Sequence, residues 1–331
     1  MKNIYTINLN LDKSNIPYFS STLLKEIEEN ISKNKKIILY LNRRGEFSSM
    51  ICTDCQKIYK CPNCDISLSV HKNPSFLLCH HCGYSENISL KCNNCKSTNL
   101  KKVGIGTEQL ETNLIKLFPN VDIFRFDLDS IKNKTSKKEA LENLQNAQII
   151  IGTKMITTGF DFDDVGLIGV ILLEQELQIP DYKTEENLYS NIKQLIGRGG
   201  RKGSETNILL QTFIPENNII KSLTEKNYKD FFKEVIEERK IFLYPPFIEM
   251  ATIEYRDKNT TKSFDFISQI KLKLDILNID NLYNIELSTK AIKRNNEYIY
   301  KIFVKGNNIR EFLQNIKKEI FKNSNLIIKF E

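Results

Sequence analysis

All eight cysteines of the chain lie between Cys52 and Cys95, arranged as four Cys-x-x-Cys pairs. These are Cys52/Cys55 in CTDC, Cys61/Cys64 in CPNC, Cys79/Cys82 in CHHC and Cys92/Cys95 in CNNC. Two residues between thiolates let one tight turn aim both sulfurs at a single ion, and a tetrahedral zinc site takes two such turns. Four turns therefore predict two four-cysteine sites and two Zn2+ ions. The segment between them is short and polar, so metal must stand in for an apolar core, and binding and folding should be one event. Four thiolates leave no open coordination position, which disfavours catalytic zinc. Sequential pairing gives two separate ribbons. Nested pairing puts Cys52, Cys55, Cys92 and Cys95 on one ion and Cys61, Cys64, Cys79 and Cys82 on the other. Spacing alone does not choose among the three pairings. Nesting has a mild advantage, because it ties the two ends together as an insertion requires. His71, His80 and His81 are the only histidines; His80 or His81 could replace a cysteine, but eight thiols already fill two sites. Redox chemistry at one pair is the competing reading, which four clustered pairs disfavour.

The 331 residues suffice for about two domains and a small module. Hydrophobic residues at 40% and charged residues at 27% exclude a wholly disordered chain. No apolar run approaches the roughly 18 residues of a membrane span. The opening MKNIYTINLNLDK lacks the apolar core of a signal peptide. The expectation is a soluble cytoplasmic protein without a membrane partner, where clustered cysteines mean metal rather than disulfides. The formal charge of +7 permits a nucleic-acid partner without proving one.

Around the cysteines, strand and helix signals alternate. A helix is predicted over 21–34, a buried strand over 35–41, a turn and helix over 104–118 with Thr107 as N-cap, and a strand over 121–126. A helix over 136–146, near-continuous apolar strands over 147–153 and 165–174, a helix over 184–196 and a strand over 206–213 follow. This rhythm predicts an α/β domain with a doubly wound parallel sheet, the cysteine module inserted after its first strand. A long helix over 217–240 leads to FLYPPF, where paired prolines mark a boundary. Beyond it, strand 248–256, helix 260–277, strands 283–289 and 297–304, helix 309–321 and strand 326–331 predict a small two-layer α+β domain. The expected division is 1–49 with 97–240, an inserted module at 50–96, and a C-terminal domain at 241–331.

Three segments carry chemistry. GTKMITTGFDF (152–162) begins where a buried strand ends, the place where open α/β sheets bind ligands, and a Gly-Thr turn with exposed amides can hold a phosphate. QLIGRGGR (194–201) presents Arg198 and Arg201 on a Gly-rich turn ending a helix, suited to charge developing on a transferred phosphoryl group. NRRG (42–45) offers Arg43 and Arg44 just past the first strand. Each has a bland reading as a turn or solvated loop; together they favour a polyphosphate or nucleic-acid site. No G-x-x-x-x-G-K-[ST] occurs, so the phosphate-cradling loop is absent.

The order LNRRGEFSSMICTDC, CPNCD, CHHCG, CNNCKS, VGIGTEQLE, FPNVDIFRFDLDS, IIIGTKMITTGFDF, PDYKTEENLYSNIKQLIGRGGR, LLQTFIP and ERKIFLYPPF resembles the PriA family of primosomal helicases, superfamily two DNA helicases, over residues 36–250. The C-terminal part matches more loosely, chiefly at 290–306. The resemblance implies ATP-driven 3′-to-5′ travel on DNA, reloading of the replicative helicase at stalled forks, and a second RecA-like lobe with two zinc ions in the nested pairing. It implies that Gly152, Thr153 and Gly159 couple DNA backbone to nucleotide, that Gln194, Arg198 and Arg201 serve the arginine-finger motif, and that the insertion serves strand separation and primosome contacts. Glu174 stands at one place of the family's acidic pair and Leu172 at the other; Thr158 stands where the family has lysine. Arg43, Arg44, Thr153 and Lys154 are the expected DNA contacts. The matched stretch lacks the family's first lobe, so ATP and Mg2+ are expected only when a partner polypeptide completes the site. Single-stranded and forked DNA and primosome proteins are the expected partners. The alternatives are a zinc-stabilised DNA-binding or primosome scaffold without ATPase activity, a non-functional remnant, and an unrelated metal-binding protein of translation or RNA handling.

Overall fold

The computed structural model describes all residues except 1, 42–48, 64–65, 72–74, 80–82, 128–136, 158–161, 178–180, 200–204, 226–227, 289–290, 295 and 318–322; side chains are also left undescribed at 137–141, 225 and 292–294. The chain divides into two compact units, residues 1–59 with 89–232 and residues 60–88 with 233–331.

The first unit runs β1 (Lys2–Asn8), α1 (Ser21–Ser32), β2 (Lys36–Tyr40), β3 (Ser49–Cys52), β4 (Leu100–Val103), α2 (Thr107–Leu117), β5 (Ile123–Phe126), α3 (Lys137–Asn146), β6 (Ile149–Gly152), β7 (Val165–Val170), α4 (Glu174–Leu177), α5 (Thr184–Arg198) and β8 (Thr206–Thr212). Six strands form one parallel sheet in the order β1-β8-β7-β2-β6-β5. Ile37, Ile38 and Leu39 of β2 and Ile149, Ile150 and Ile151 of β6 are all fully buried. Neighbouring residues of a strand point to opposite faces, so burial of all three means both faces are covered. Each such side chain contributes about 1.5–3 kcal/mol of burial free energy. Helix α1 starts where the Ser20 hydroxyl accepts the Leu23 N–H at 2.9 Å, and it buries Leu23 and Ile27. Its approach to the sheet is close. A Cβ on Gly169 would lie 2.9 Å from both Leu23 Cδ1 and Leu39 Cδ2.

Three details of this unit differ from the sequence expectation, and in the second unit the helix expected over 309–321 begins as the short α-helical turn Ile309–Phe312 followed by the 3-10 turn Leu313–Ile316. β1 is not among the strands expected from the sequence although Ile4, Tyr5, Thr6 and Ile7 are all β-formers; it is the half-buried edge strand beside β8. The strand expected over 165–174 stops at Val170, and Glu174–Leu177 forms a single helical turn instead. Thr107 is the first helical residue of α2 rather than its N-cap, which is Gly106.

In the second unit, a short ribbon pairs Ser69–His71 with Phe76–Leu78 and Phe76–Leu78 with Ser85–Asn87. Ile66, Leu68, Leu77 and Leu78 are buried, so this segment is less polar in effect than its composition suggests. The C-terminal part is an antiparallel sheet in the order Asn284–Leu287, Glu297–Gly306, Glu249–Asp257, Leu326–Phe330. The helix Thr260–Leu277 and the turns from Ile309 to Ile316 pack on one face, against Ala251, Ile253, Ile302 and Val304. On strand Glu249–Asp257 the buried Glu254 meets Lys329 at 2.9 Å, Lys301 at 3.1 Å and Arg256 at 3.2 Å. Burial opposes its ionisation, but the two lysines prevail and hold its carboxyl at about 2. Among the described residues, no helix is long and apolar enough to cross a membrane.

Candidate metal centre and strand-end site

The first cysteines of the four Cys-x-x-Cys pairs share one backbone hydrogen bond. In each, the N–H of the first cysteine donates to the carbonyl five residues on: Cys52 to Lys57 at 3.0 Å, Cys61 to Ile66 at 2.8 Å, Cys79 to Tyr84 at 2.8 Å and Cys92 to Ser97 at 2.7 Å. The residue after the second cysteine takes left-handed backbone in three of them: Gln56 (φ 61), Gly83 (φ 81) and Lys96 (φ 63). At Cys52–Cys55 and at Cys92–Cys95 this turn brings both thiols to one side.

Two of these turns converge. The Sγ atoms of Cys52, Cys55, Cys92 and Cys95 all lie within 4.8 Å of one another, with Cys52–Cys95 and Cys55–Cys92 each at 3.6 Å. Zn–S bonds of about 2.3 Å in a tetrahedron put sulfurs roughly 3.8 Å apart, so the donor set fits zinc. The ladder of β3 with β4 sets the convergence, placing Cys52 opposite Leu100. Asp54 braces the two turns by accepting from Ser97 Oγ at 2.6 Å and Asn99 Nδ2 at 2.9 Å, and these bonds hold its carboxyl below the usual range. Burial pushes the Cys52 thiol up to about 12. Burial raises Cys55 too, but hydrogen bonds from Asn94 and the Lys57 N–H, with those of Cys95 and Cys92, bring it down to about 6. Metal binding must therefore expel protons, and affinity rises with pH. Of the other expected ligand set, Cys61 and Cys79 are buried; Cys64 and Cys82, like His80 and His81, lie outside the described residues.

At the sheet, Gly152 closes β6, and Ile156 folds back over it. A Cβ there would lie 2.6 Å from Ile156 Cδ1 and 2.8 Å from Ile156 Cβ, so only glycine permits the turn. Thr153 is half-buried and Lys154 exposed, opening the 3-10 turn Lys154–Thr157. Arg198, the last residue of α5, donates from Nε (3.2 Å) and Nη2 (2.8 Å) to the Thr157 carbonyl. The structure thus brings Arg198 to the 152–157 segment. Gln194 is exposed and donates to Ser190 Oγ at 3.3 Å within its own helix. Arg43, Arg44, Thr158, Gly159 and Arg201 lie outside the described residues.

Glu174 is fully buried beyond the carboxyl end of β7. Its Oε1 accepts from Thr212 Oγ1 at 2.8 Å and from the Phe213 N–H. Burial raises its carboxyl to about 7.

Sequence reasoning passed over its two neighbours. The Gln175 carboxamide holds Ile105 at both backbone groups, accepting its N–H at 3.0 Å and donating to its carbonyl at 2.8 Å. Glu176, buried, accepts from Tyr40 Oη at 3.0 Å and from Asn191 Nδ2 of α5. Also unforeseen is the lock between the GTE and FRFD segments. Thr107 Oγ1 donates to the buried Asp127 at 2.8 Å, and Arg125 reaches Glu111 at 3.1 Å, Glu108 at 3.2 Å and Asp127 at 3.3 Å. The available signal was polar residues standing inside an apolar run, as in VILLEQEL.

Comparison with known proteins points to one family. A model of the PriA DNA helicase Cys-rich region (CRR) domain matches residues 61–86. The chain is 33% identical over 259 residues to the replication restart protein PriA of Bacillus subtilis, covering 76% of this chain and 32% of that protein. It is 35% identical over 262 residues to the PriA of Chlamydia pneumoniae, covering 77% and 35%. With the PriA of Borreliella burgdorferi, identity is 30% over 328 residues, 97% of this chain and 49% of that protein. The solved Mss116p DEAD-box helicase domain 2, bound to an RNA duplex, overlays with a TM-score of 0.32 at 12% identity, covering 72% of this chain and 76% of that one; so loose a likeness adds nothing to the topology above. The chain spans between a third and a half of the length of these PriA proteins. Along most of its own length, then, the chain is a relative of the PriA replication restart proteins.

Proposed function

We propose that the chain is the second-lobe and C-terminal part of a PriA-type helicase that works in the cytoplasm on single-stranded and forked DNA during replication restart. In this reading 1–49 with 97–240 is the helicase lobe, 50–96 the inserted module with two Zn2+ ions in nested pairing, and 241–331 the C-terminal domain. ATP with Mg2+ is hydrolysed only when a separate polypeptide supplies the first lobe, and primosome proteins are the further partners. The observation that carries the reading is the Arg198 fork on the Thr157 carbonyl, which joins the GTKMIT and QLIGRG segments. Arg198 and Arg201 with Gln194 would serve the transferred phosphoryl group; Gly152, Thr153 and Gly159 would link nucleotide to DNA; Arg43, Arg44 and Lys154 would hold the DNA backbone.

The test is DNA-stimulated ATP hydrolysis by the chain alone and with a first-lobe polypeptide. The expected result is none alone and 3′-to-5′ activity when mixed, lost in Arg198→Ala. Hydrolysis by the chain alone would overturn the need for a partner. DNA binding should weaken steeply with salt, since phosphate contacts dominate. A second reading, a DNA-binding scaffold without ATPase activity, is favoured by Glu174. Its carboxylate is enclosed in the fold against Thr212 and Phe213 instead of open to a nucleotide. It predicts no hydrolysis in either mixture but unchanged DNA binding.

A further inference from the structure

The cysteine ribbon of the first unit is docked on the carboxyl ends of β7 and β8 at three points. Gln175 clamps both backbone groups of Ile105, which follows β4 by two residues. The Lys101 ammonium, on β4, lies 4.2 Å from the centroid of the Phe213 ring, and the Phe213 N–H is bound by Glu174. Gln56, in the left-handed position after Cys55, accepts the Glu216 N–H at 2.7 Å. The ribbon is small: β3 and β4 are four residues each, Lys101 and Lys102 are exposed, and beside the buried Met50, Ile51, Ile58, Tyr59 and Val103 its far end is closed by the convergence of Cys52, Cys55, Cys92 and Cys95.

We propose that Gln175 is a positioning residue through which metal at the Cys52/Cys55/Cys92/Cys95 site sets the order of the strand end at 171–177. That segment is where three motif-bearing elements meet: Glu176 holds Tyr40, at the end of β2, and Asn191, two turns before Arg198 on α5, while Glu174 holds the end of β8. Without metal, β3 and β4 lose their alignment and Ile105 leaves the Gln175 clamp. The strand end then loses its partner on that side. Coupling of this kind is reciprocal, so loosening the clamp also weakens metal binding by the same factor. The proposal does not depend on ATP hydrolysis, and its test reads neither nucleotide nor DNA.

The test is amide hydrogen exchange on the full chain, zinc-loaded and chelator-treated. In the unaltered protein, chelation should raise exchange about tenfold at 171–177, beyond the rise at 49–59 and 89–103, while β6 and β2 keep their protection. In Gln175→Ala the loaded protein should already exchange fast at 171–177 and respond little to chelation; zinc competition titrations should show affinity about tenfold weaker. Gln175→Glu keeps the acceptor for the Ile105 N–H and loses the donor, so it should fall between; it carries the comparison if Gln175→Ala does not fold. Ile150→Ala, which weakens the same sheet, should leave the chelation response intact. The proposal is overturned if chelation leaves 171–177 unchanged, if both Gln175 variants respond as the unaltered protein does, or if protection vanishes throughout the sheet at once.

Discussion

The parallel sheet of the first unit and the cysteine ribbon docked on it reach stability by opposite routes. The sheet joins six strands, and at its centre the interior of β2 and β6 is aliphatic on both faces. The ribbon has two strands of four residues, one of them bearing exposed Lys101 and Lys102. The ribbon buries only a handful of apolar side chains, Met50, Ile51, Ile58, Tyr59 and Val103, and four thiolates converging on one point add to what that burial supplies against the entropy of ordering the chain. A chain can therefore add a small module at the carboxyl ends of a sheet's strands with little extension of its core, provided the module carries its own ligands.

The largest expected effect separates the two routes directly. Cys92 is fully buried in the tetrad. Cys92→Ser should remove one equivalent of zinc per chain and, with it, a contribution of about 10–16 kcal/mol at neutral pH. Protection of β3 and β4 should vanish while β2 and β6 keep theirs. Metal analysis and hydrogen exchange check both halves; unchanged zinc content would break the comparison. The converse is smaller. Ile150→Ala empties a site in the middle of the sheet and should cost about 2–5 kcal/mol in urea unfolding. Zinc affinity should stay as it was, since the two sites share no partner.

The two regions were also legible to different degrees. Cysteine pairs announce themselves because coordination geometry dictates a spacing, and the turns at Cys52 and Cys92 follow from it. The apolar runs KKIILYL, AQIIIGT and VGLIGVILL mark the buried strands for the equally simple reason that two covered faces permit no polar residue. Legibility failed where polar side chains act over a distance. The short run Ile4–Ile7 has β-formers, but nothing local says which strand Lys2–Asn8 joins; its place is set by the ladder with β8. Thr107 has the chemistry of an N-cap, yet its hydroxyl is taken by Asp127, 20 residues on. Glu174, Gln175 and Glu176 sit in an apolar run and read as interruptions. Their partners, Phe213, Ile105, Tyr40 and Asn191, are remote in sequence, and only the folded sheet assembles them.

The smallest effect concerns Glu174 and gives the two regions opposite responses to pH. Its carboxyl is fully buried and raised to about 7 from an ordinary 4.5. The folded state thus holds this proton more tightly than the unfolded chain does. The stability it brings is complete below about 4.5 and is lost as pH rises through about 7. Each tenfold difference in proton affinity is worth about 1.4 kcal/mol, so the loss is on the order of 3 kcal/mol. Glu174→Gln keeps the shape and cannot ionise, so its urea midpoint relative to the unaltered protein should rise between pH 5 and pH 8. The cysteine site behaves the other way, since zinc must displace thiol protons and binds more tightly as pH rises. Raising pH should therefore loosen the sheet at its strand end while tightening the ribbon docked there. If the unaltered protein and Glu174→Gln show the same pH dependence, the buried carboxyl is not what sets the sheet's response, and the contrast narrows to the metal alone.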